Sequence, residues 1–236
     1  RIAEILSSVD ASIQATQAVI EQAERVKQGL MEELLTGGLG SGAIERGEVP
    51  EGWQERSLAS LAKFINGRAF KPEEWADEGL PIIRIAQINN PYSDYNCFSG
   101  SDLDERHRVR KGDLLFSWSA TLTAVIWEHY EAALNQHIFK VEPFDDVSKE
   151  FLLYRILLSI DELMKGAHGT TMRHIKKREL DAHSIPLPPL NEQHRIAEIL
   201  SSVDGFIAEQ RAIVEQQLRT KRGLMDDLLT GRVRTV

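Results

Sequence analysis

The chain has 236 residues, 42% of them hydrophobic and 27% charged, which is enough for one domain with a sizeable core plus appendages. Its longest apolar stretches, such as Phe151 to Ile160, contain Tyr154 and Arg155 and fall short of the roughly 20 apolar residues a membrane span requires, so no membrane partner is expected. A single cysteine, Cys97, excludes a disulfide framework and a multi-cysteine zinc site and fits a cytoplasmic location, while the net charge of −8 argues at first sight against nucleic acid.

In chain order, the first element is half of a repeat. The ten residues Arg1 to Asp10 recur unchanged at Arg195 to Asp204, and the match continues without a gap to Gly37 and Gly231, with roughly two thirds of the positions identical. Each copy reads as a long helix with a seven-residue apolar period. In the first copy the seam is Ile2, Val9, Thr16, Ala23, Leu30 interleaved with Leu6, Ile13, Ile20, Lys27, Leu34. In the second it is Ile196, Val203, Gln210, Gln217, Leu224 interleaved with Leu200, Ile207, Val214, Lys221, Leu228. One such stripe stays wet unless another helix covers it, and the other copy is the natural partner. Gly37 and Gly231 stand where a C-terminal glycine stop belongs.

Residues 38–48 form a Gly-rich linker, and a globular stretch opens near Val49-Pro50-Glu51-Gly52-Trp53. Leu80 to Ile88, Asp113 to Trp118, Thr121 to Trp127 and Ile138 to Val141 are predicted strands, rich in branched and aromatic residues. Ser148 to Lys165 is a predicted helix, with Ser148 as cap and Gly166 as stop. Strands interspersed with few helices predict an α+β domain over 49–190, flanked by helices at 1–37 and 191–236 that form an antiparallel coiled coil. Ile185-Pro186-Leu187-Pro188-Pro189-Leu190 is an extended lead-in to the second helix, which is expected to start at about Asn191. The first copy begins at Arg1 without such a lead-in, so the chain is expected to be a piece of something longer or a permuted form.

Positive charge gathers at Arg106-His107-Arg108-Val109-Arg110-Lys111 and at Arg173-His174-Ile175-Lys176-Lys177-Arg178, which leaves a local basic surface open on an acidic chain. Several segments have the chemistry of base and phosphate contact. Asn66, Arg68 and Lys71 surround a glycine turn; Gln87, Asn89 and Asn90 follow a predicted strand; Ser117, Ser119 and Thr121 surround Trp118; Asn135, Gln136 and His137 stand together. Amides suit adenine and arginine suits guanine, though each group reads equally as turn or strand-end residues, and Trp118 reads better as core. Thr170 and Thr171, with Arg173, His174, Lys176 and Lys177, form the best phosphate candidate; the alternative is a solvated helix face. His168, His174 and His183 have no metal spacing with a cysteine, so no metal is expected.

Ile185-Pro186-Leu187-Pro188-Pro189-Leu190-Asn191-Glu192-Gln193-His194-Arg195-Ile196-Ala197 resembles the phrase that leads into the conserved helices of type I restriction enzyme specificity subunits. Pro50-Glu51-Gly52-Trp53, Val109 to Phe116, Leu134-Asn135-Gln136-His137 and Gly169-Thr170-Thr171 with Ile175 and Leu180 agree with that family in the expected order. The resemblance implies a target recognition domain over 49–190 that reads one half of a split site in double-stranded DNA. It also implies two spacer helices that set the distance between half-sites and dock methyltransferase subunits, with restriction subunits joining through the complex. S-adenosylmethionine is then expected only on the methyltransferase, and the chain itself needs no cofactor. A full subunit of the family has two recognition domains; this chain has one, which leaves open a fragment or a half-subunit that pairs with itself as a homodimer.

Catalysis is not expected. Asn90-Pro91-Tyr92 is similar to the Asn-Pro-Pro-aromatic motif of adenine methyltransferases but lacks the second proline, and no glycine-rich cofactor loop, phosphate-binding loop or nucleophile elbow is present. Glu73 and Glu74 form a carboxylate pair without a lysine at nuclease spacing. The competing class is a coiled-coil interaction scaffold that does not bind DNA.

Overall fold

The predicted long helices form because each repeat copy carries helix-favouring residues and no proline between Ile2 and Gly37 or between Leu190 and Leu229. The structure, a computed structural model, describes residues 2–39, 49–100, 102–166, 174–175 and 177–230. Helix α1 spans Ile2–Gly37 and the last helix, α5, spans Leu190–Leu229. The chain divides into two compact units, 1–32 with 198–236, and 33–197.

The first unit is a pair of antiparallel helices. Lys27 binds Asp204 at 2.6 Å, Glu24 binds Arg211 at 2.6 Å and Asp10 binds Lys221 at 2.5 Å, a pairing in which numbers rise on one helix as they fall on the other. Ile2, Leu6, Val9, Ile20 and Leu30 are half-buried and Ile13 is buried; on α5, Leu200, Ile207, Val214 and Leu228 are buried and Val203 and Leu224 half-buried. Ala23 is buried as well, and Leu34 and Ile196 are buried in the second unit. Four of the polar seam residues are used in the pairing: Gln217 Nε2 donates to Ser12 Oγ at 2.9 Å and to Thr16 Oγ1 at 3.4 Å, and Lys27 and Lys221 carry two of the ion pairs.

The second unit holds the α+β domain. In chain order its strands are β1 (Gln54–Ser57), β2 (Ala62–Asn66), β3 (Trp75–Ala76), β4 (Leu80–Ile83), β5 (Cys97–Phe98), β6 (Arg108–Val109), β7 (Asp113–Ser117), β8 (Thr123–Trp127), β9 (Ala132–Leu134), β10 (Ile138–Pro143) and β11 (Ser184–Leu187). Its helices are α2 (Ile85–Asn89), α3 (Lys149–Gly166) and α4 (Lys177–Ala182). One sheet has the order β2-β10-β7-β8, a second β3-β5-β4-β9-β6, and β1 pairs with β11. Only the β4–β9 pair among these is parallel. Every residue of β7 after Asp113 is buried, so the strand is covered on both faces. Leu115 joins Ile83, Trp127, Leu134 and Ile138 in the main core, and α3 packs against β7, β8 and β10.

Several boundaries differ from the sequence expectation: β7 ends at Ser117, β8 starts at Thr123, β10 runs on to Pro143, and Gly166, expected as a stop, is the last residue inside α3. Leu80 to Ile88 is not one strand: β4 stops at Ile83 and the chain turns into α2, where the Gln87 side chain accepts the Arg84 backbone N–H at 3.0 Å and caps the turn. The branched residues that suggested a strand lose the period of two after Ile83. Gly37 is still helical; the stop is Gly38, at φ +71°, where a Cβ would lie 2.7 Å from the Trp53 indole. Its repeat counterpart, near Gly231, lies outside the described residues. The second helix starts at Leu190, one residue before the asparagine expected to cap it.

Candidate nucleic-acid interface

Antiparallel pairing in the β2-β10-β7-β8 sheet brings four strand ends to one edge: Asn66 pairs with Phe139, Ile138 with Ser117, and Ser117 with Thr123. The connections leaving that edge carry most of the predicted contact residues. Gly67 lets the 66–68 turn press against the next segment; its N–H donates to Ile138 O at 3.0 Å, and a Cβ there would lie 2.1 Å from the Asn135 carbonyl oxygen. The β7–β8 turn passes through Ala120 at φ +59°, a left-handed conformation uncommon outside glycine.

At the centre stands Trp118, half-buried rather than core. Its Nε1 donates to Asn66 Oδ1 at 3.3 Å, and its ring centroid lies 5.6 Å from His137, 5.9 Å from His174 and 6.0 Å from Phe139. The Ile175 N–H donates to Trp118 O at 3.0 Å, and Ser119 bridges to His174, which places His174 and Ile175 beside this edge. Asn66 and His174 are exposed at the ring, Gln136 is exposed with its Nε2 3.4 Å from His137 Nε2, and Thr121 is exposed in the β7–β8 turn. His137 Nδ1 is buried without a hydrogen-bond partner among the described residues. The edge is thus an aromatic platform rimmed by amides, a hydroxyl and imidazoles, the chemistry that contacts base edges and phosphates.

Other predicted residues stand elsewhere or are engaged. Gln87 is buried, its Nε2 donating to Asp94 O at 2.8 Å and Ser93 Oγ at 3.1 Å, so its amide is spent on the fold. Asn89 and Asn90 are exposed but away from the edge: the adjacent Pro91 carbonyl accepts from the Tyr130 hydroxyl at 2.9 Å, and Tyr130 packs on Trp127, at the opposite end of β8 from Thr123. Arg68 is bound to Glu74 and its guanidinium lies 4.7 Å from the Phe70 ring and 5.1 Å from the Phe98 ring, a site that holds it to the domain. The Lys71 side chain is exposed. Ser117 and Ser119 are buried, Ser117 Oγ donating to Ser119 O at 3.3 Å, and Asn135 is 9% exposed. Thr170, Thr171, Arg173 and Lys176 lie outside the described residues; Lys177 is exposed at the start of α4.

The first basic run is not a free basic surface. Arg106 binds Asp104 at 2.9 Å, Arg108 binds Glu131 at 3.1 Å, Lys111 lies 3.4 Å from Glu128, and Arg110 is paired with Glu105. The hydrogen bond from Arg110 holds the Glu105 carboxyl below its ordinary range against a small cost of burial. Local acids that are distant in sequence, such as Glu128 and Glu131, neutralise the run.

The residues of the family-like phrases have a different task. Trp53 Nε1 donates to Glu192 Oε2 at 3.0 Å, and the Leu39 N–H to Glu192 Oε1 at 3.3 Å. Buried Gln193 donates to Pro188 O at 2.9 Å and to Asp146 O at 3.0 Å, and accepts the Ser148 N–H at 2.8 Å. Within the second unit these side chains fasten the ends of both long helices, and the start of α3, to the domain. Sequence spacing does not reveal this, because the partners are 139 and 45 residues apart.

A second polar cluster escaped the sequence reading. Arg155 is 1% exposed and bound to Glu162, which also receives His183 Nε2 at 2.9 Å, with Ser159 Oγ at 3.1 Å from the same nitrogen. Cys97 is buried and its thiol is pushed up by burial and by Asp77 and Glu78, which makes it a poor nucleophile. No group of metal-ligating side chains is found, and no helix is long and apolar enough to cross a membrane, among the described residues.

A two-sheet α+β domain flanked by paired repeat helices, with a strand-end edge of amides around an aromatic ring, defines a class of modular recognition proteins. The chain belongs to the type I restriction modification DNA specificity domain family, whose model matches residues 50–216. It is 28% identical to the MjaVIII specificity subunit of Methanocaldococcus jannaschii across 99% of this chain and 60% of that one. It is also 28% identical to the EcoBI specificity subunit of Escherichia coli across 78% of this chain and 40% of that one. The chain therefore spans about half the length of such relatives. Its fold is shared with the HsdS subunit from Thermoanaerobacter tengcongensis, at a TM-score of 0.64 and 20% identity over 96% of this chain and 55% of that chain. The S subunit from M. genitalium matches at a TM-score of 0.60 and 16% identity over 95% of this chain and 58% of that chain.

Proposed function

We propose that this chain is a DNA-reading part of a type I restriction-modification specificity subunit, recognising one half of a split duplex site and docking methyltransferase subunits on its helix pair. It is non-catalytic in this reading and acts in the cytoplasm; S-adenosylmethionine is held by the methyltransferase, and restriction subunits join through the complex. The observation that carries it is the strand-end edge, where Asn66, His137 and His174 meet Trp118 from three separate segments, with exposed Gln136 beside His137 and exposed Thr121 in the β7–β8 turn. Amides read base edges, and exposed Lys177, at the start of α4, is the phosphate contact in this reading.

Binding to a library of duplexes at several salt concentrations tests this. Affinity is expected to fall steeply with salt, with a slope of about −0.9 per phosphate contacted. Gln136→Ala is expected to relax preference at one base position by about 1–3 kcal/mol. Lys177→Ala is expected to weaken all sequences equally and to lower the slope by about one. One observation favours the competing reading of a scaffold without DNA: the first basic run is neutralised by Asp104, Glu105, Glu128 and Glu131. Salt-insensitive or absent DNA binding by the folded chain would leave that reading in place.

A further inference from the structure

The two flanks of the helix pair are chemically opposite. On one flank the seam is closed by Asp10–Lys221, Glu24–Arg211 and Lys27–Asp204. On the other, α1 presents the heptad row Ile5, Ser12, Val19, Val26, and α5 presents its repeat counterparts Ile199, Phe206, Ile213, Thr220. None of these eight positions is charged, on a chain in which 27% of residues are; within the repeat copies the rows meet a charge only at their last members, Glu33 and Asp227. Val19, Val26 and Phe206 are exposed at 43%, 46% and 44%. Flanking positions of an isolated two-helix pair are commonly charged; a neutral second row is what a pair buried further by other helices requires.

The ion pairs Lys27–Asp204 and Asp10–Lys221 are the same pair written twice, because Lys221 and Asp204 repeat Lys27 and Asp10. The helices are therefore related by a pseudo-twofold. A twofold that exchanges two antiparallel helices runs perpendicular to the plane containing both, so it maps each flank onto itself. The neutral flank must then carry two equivalent seats, and it does: one cleft of about 460 Å³ and another of about 390 Å³ are lined by repeat-equivalent residues. Their chemistry differs. Ala23, Val26 and Phe206 in the first are replaced by Gln217, Thr220 and Ser12 in the second. Gln217 Oε1 is buried there without a hydrogen-bond partner among the described residues.

We propose that this neutral flank seats two copies of one partner subunit unequally: the first copy fills the apolar Phe206 cleft tightly, and the second occupies the Gln217 cleft weakly unless it supplies a hydrogen-bond donor. Two repeat-equivalent seats call for the same subunit twice, and a flank without charges calls for an uncharged, apolar helical surface on it. The proposal rests on the methyltransferase-docking part of the proposed function, which supplies the subunit.

The test is a titration of the full chain with the methyltransferase subunit of its own restriction-modification system, followed by native mass spectrometry and calorimetry. Two binding steps separated by roughly tenfold or more are expected. Phe206→Ser, at an exposed position, is expected to abolish the tight step, and Ser12→Phe to strengthen the weak one. Two steps of equal affinity, insensitive to both substitutions, overturn the unequal seats and leave methyltransferase docking standing. A chain that dimerises through this flank, with Phe206→Ser dissociating it, overturns the proposal in favour of a second copy of the chain. No binding by the chain or either variant overturns the docking reading as well.

Discussion

Gly67→Ala is expected to destabilise the recognition domain by about 3 kcal/mol or more and to abolish specific DNA binding. A Cβ at this position would lie 2.1 Å from the Asn135 carbonyl oxygen, 2.4 Å from its carbon and 2.6 Å from the Leu134 oxygen. All three are backbone atoms of the segment joining β9 to β10, so no side chain can swing aside. The segment is also pinned: the Gly67 and Arg68 N–H groups donate to Ile138 O and Leu134 O, and the Asn135 N–H donates to Ile83 O. Separating the 66–68 turn from 134–138 breaks the Gly67 and Arg68 bonds, while the Asn135 bond to Ile83 keeps the facing segment from retreating. Denaturant unfolding and DNA titration measure the two losses separately. A variant as stable as the parent would show that the turn relaxes without cost and would remove Gly67 from the account.

Glu162→Ala is expected to cost about 3 kcal/mol, the lower end for breaking a buried ion pair, because Glu162 is itself partly exposed. Its loss strands the Arg155 guanidinium, which is 1% exposed and already has Nε and Nη1 without partners among the described residues. Burial pushes the Arg155 pKa down, opposed by the charge and hydrogen bond of Glu162, and the guanidinium stays charged throughout. For Glu162 burial raises the pKa, yet the His183 hydrogen bond and the Arg155 charge outweigh it and hold the carboxyl below its ordinary value. A carboxyl that titrates lower folded than unfolded stabilises the fold fully above its unfolded value, about 4.3, and that contribution is lost as pH falls through the folded value. The parent is therefore expected to lose stability below about pH 4.3 more steeply than Glu162→Ala, and the gap between them to close in acid. Unfolding curves that stay parallel across that range would assign the acid sensitivity to other carboxylates.

The sequence makes the helices legible because a heptad is a local pattern. The interleaved rows from Ile2 to Leu30 and from Leu200 to Leu228 can be written down from spacing alone, and these positions are buried or half-buried in the helix pair. β7, β8 and β10 are legible for the same reason: branched and aromatic residues concentrate where strands are buried, on both faces in β7 and in part in the edge strand β8. Leu80 to Ile88 misleads because residue type persists where the periodicity ends, and the Gln87 cap, a side chain folding back on its own turn, decides for helix after Ile83.

The duplication and the need of each helix for a partner are determined by the sequence by itself, through ten identical residues at Arg1 and Arg195 and a single apolar stripe on each copy; that the two copies pair with each other is seen in the ion pairs of the helix pair. Which polar side chains are free to touch a ligand was decided only by tertiary structure. Gln87 and Gln136 are the same residue type in similar predicted strand-end segments, yet one amide is consumed inside the domain and the other is exposed beside Trp118. Arg108 and Arg110 sit in the densest cationic run of the domain and are neutralised by carboxylates that include Glu131. Accessibility and charge pairing depend on neighbours brought in by folding, and a local window of sequence does not contain them. The repeat likewise announces two equivalent seats on the helix pair, while the exposure of Phe206 and the buried, unpartnered Gln217 oxygen make those seats unequal.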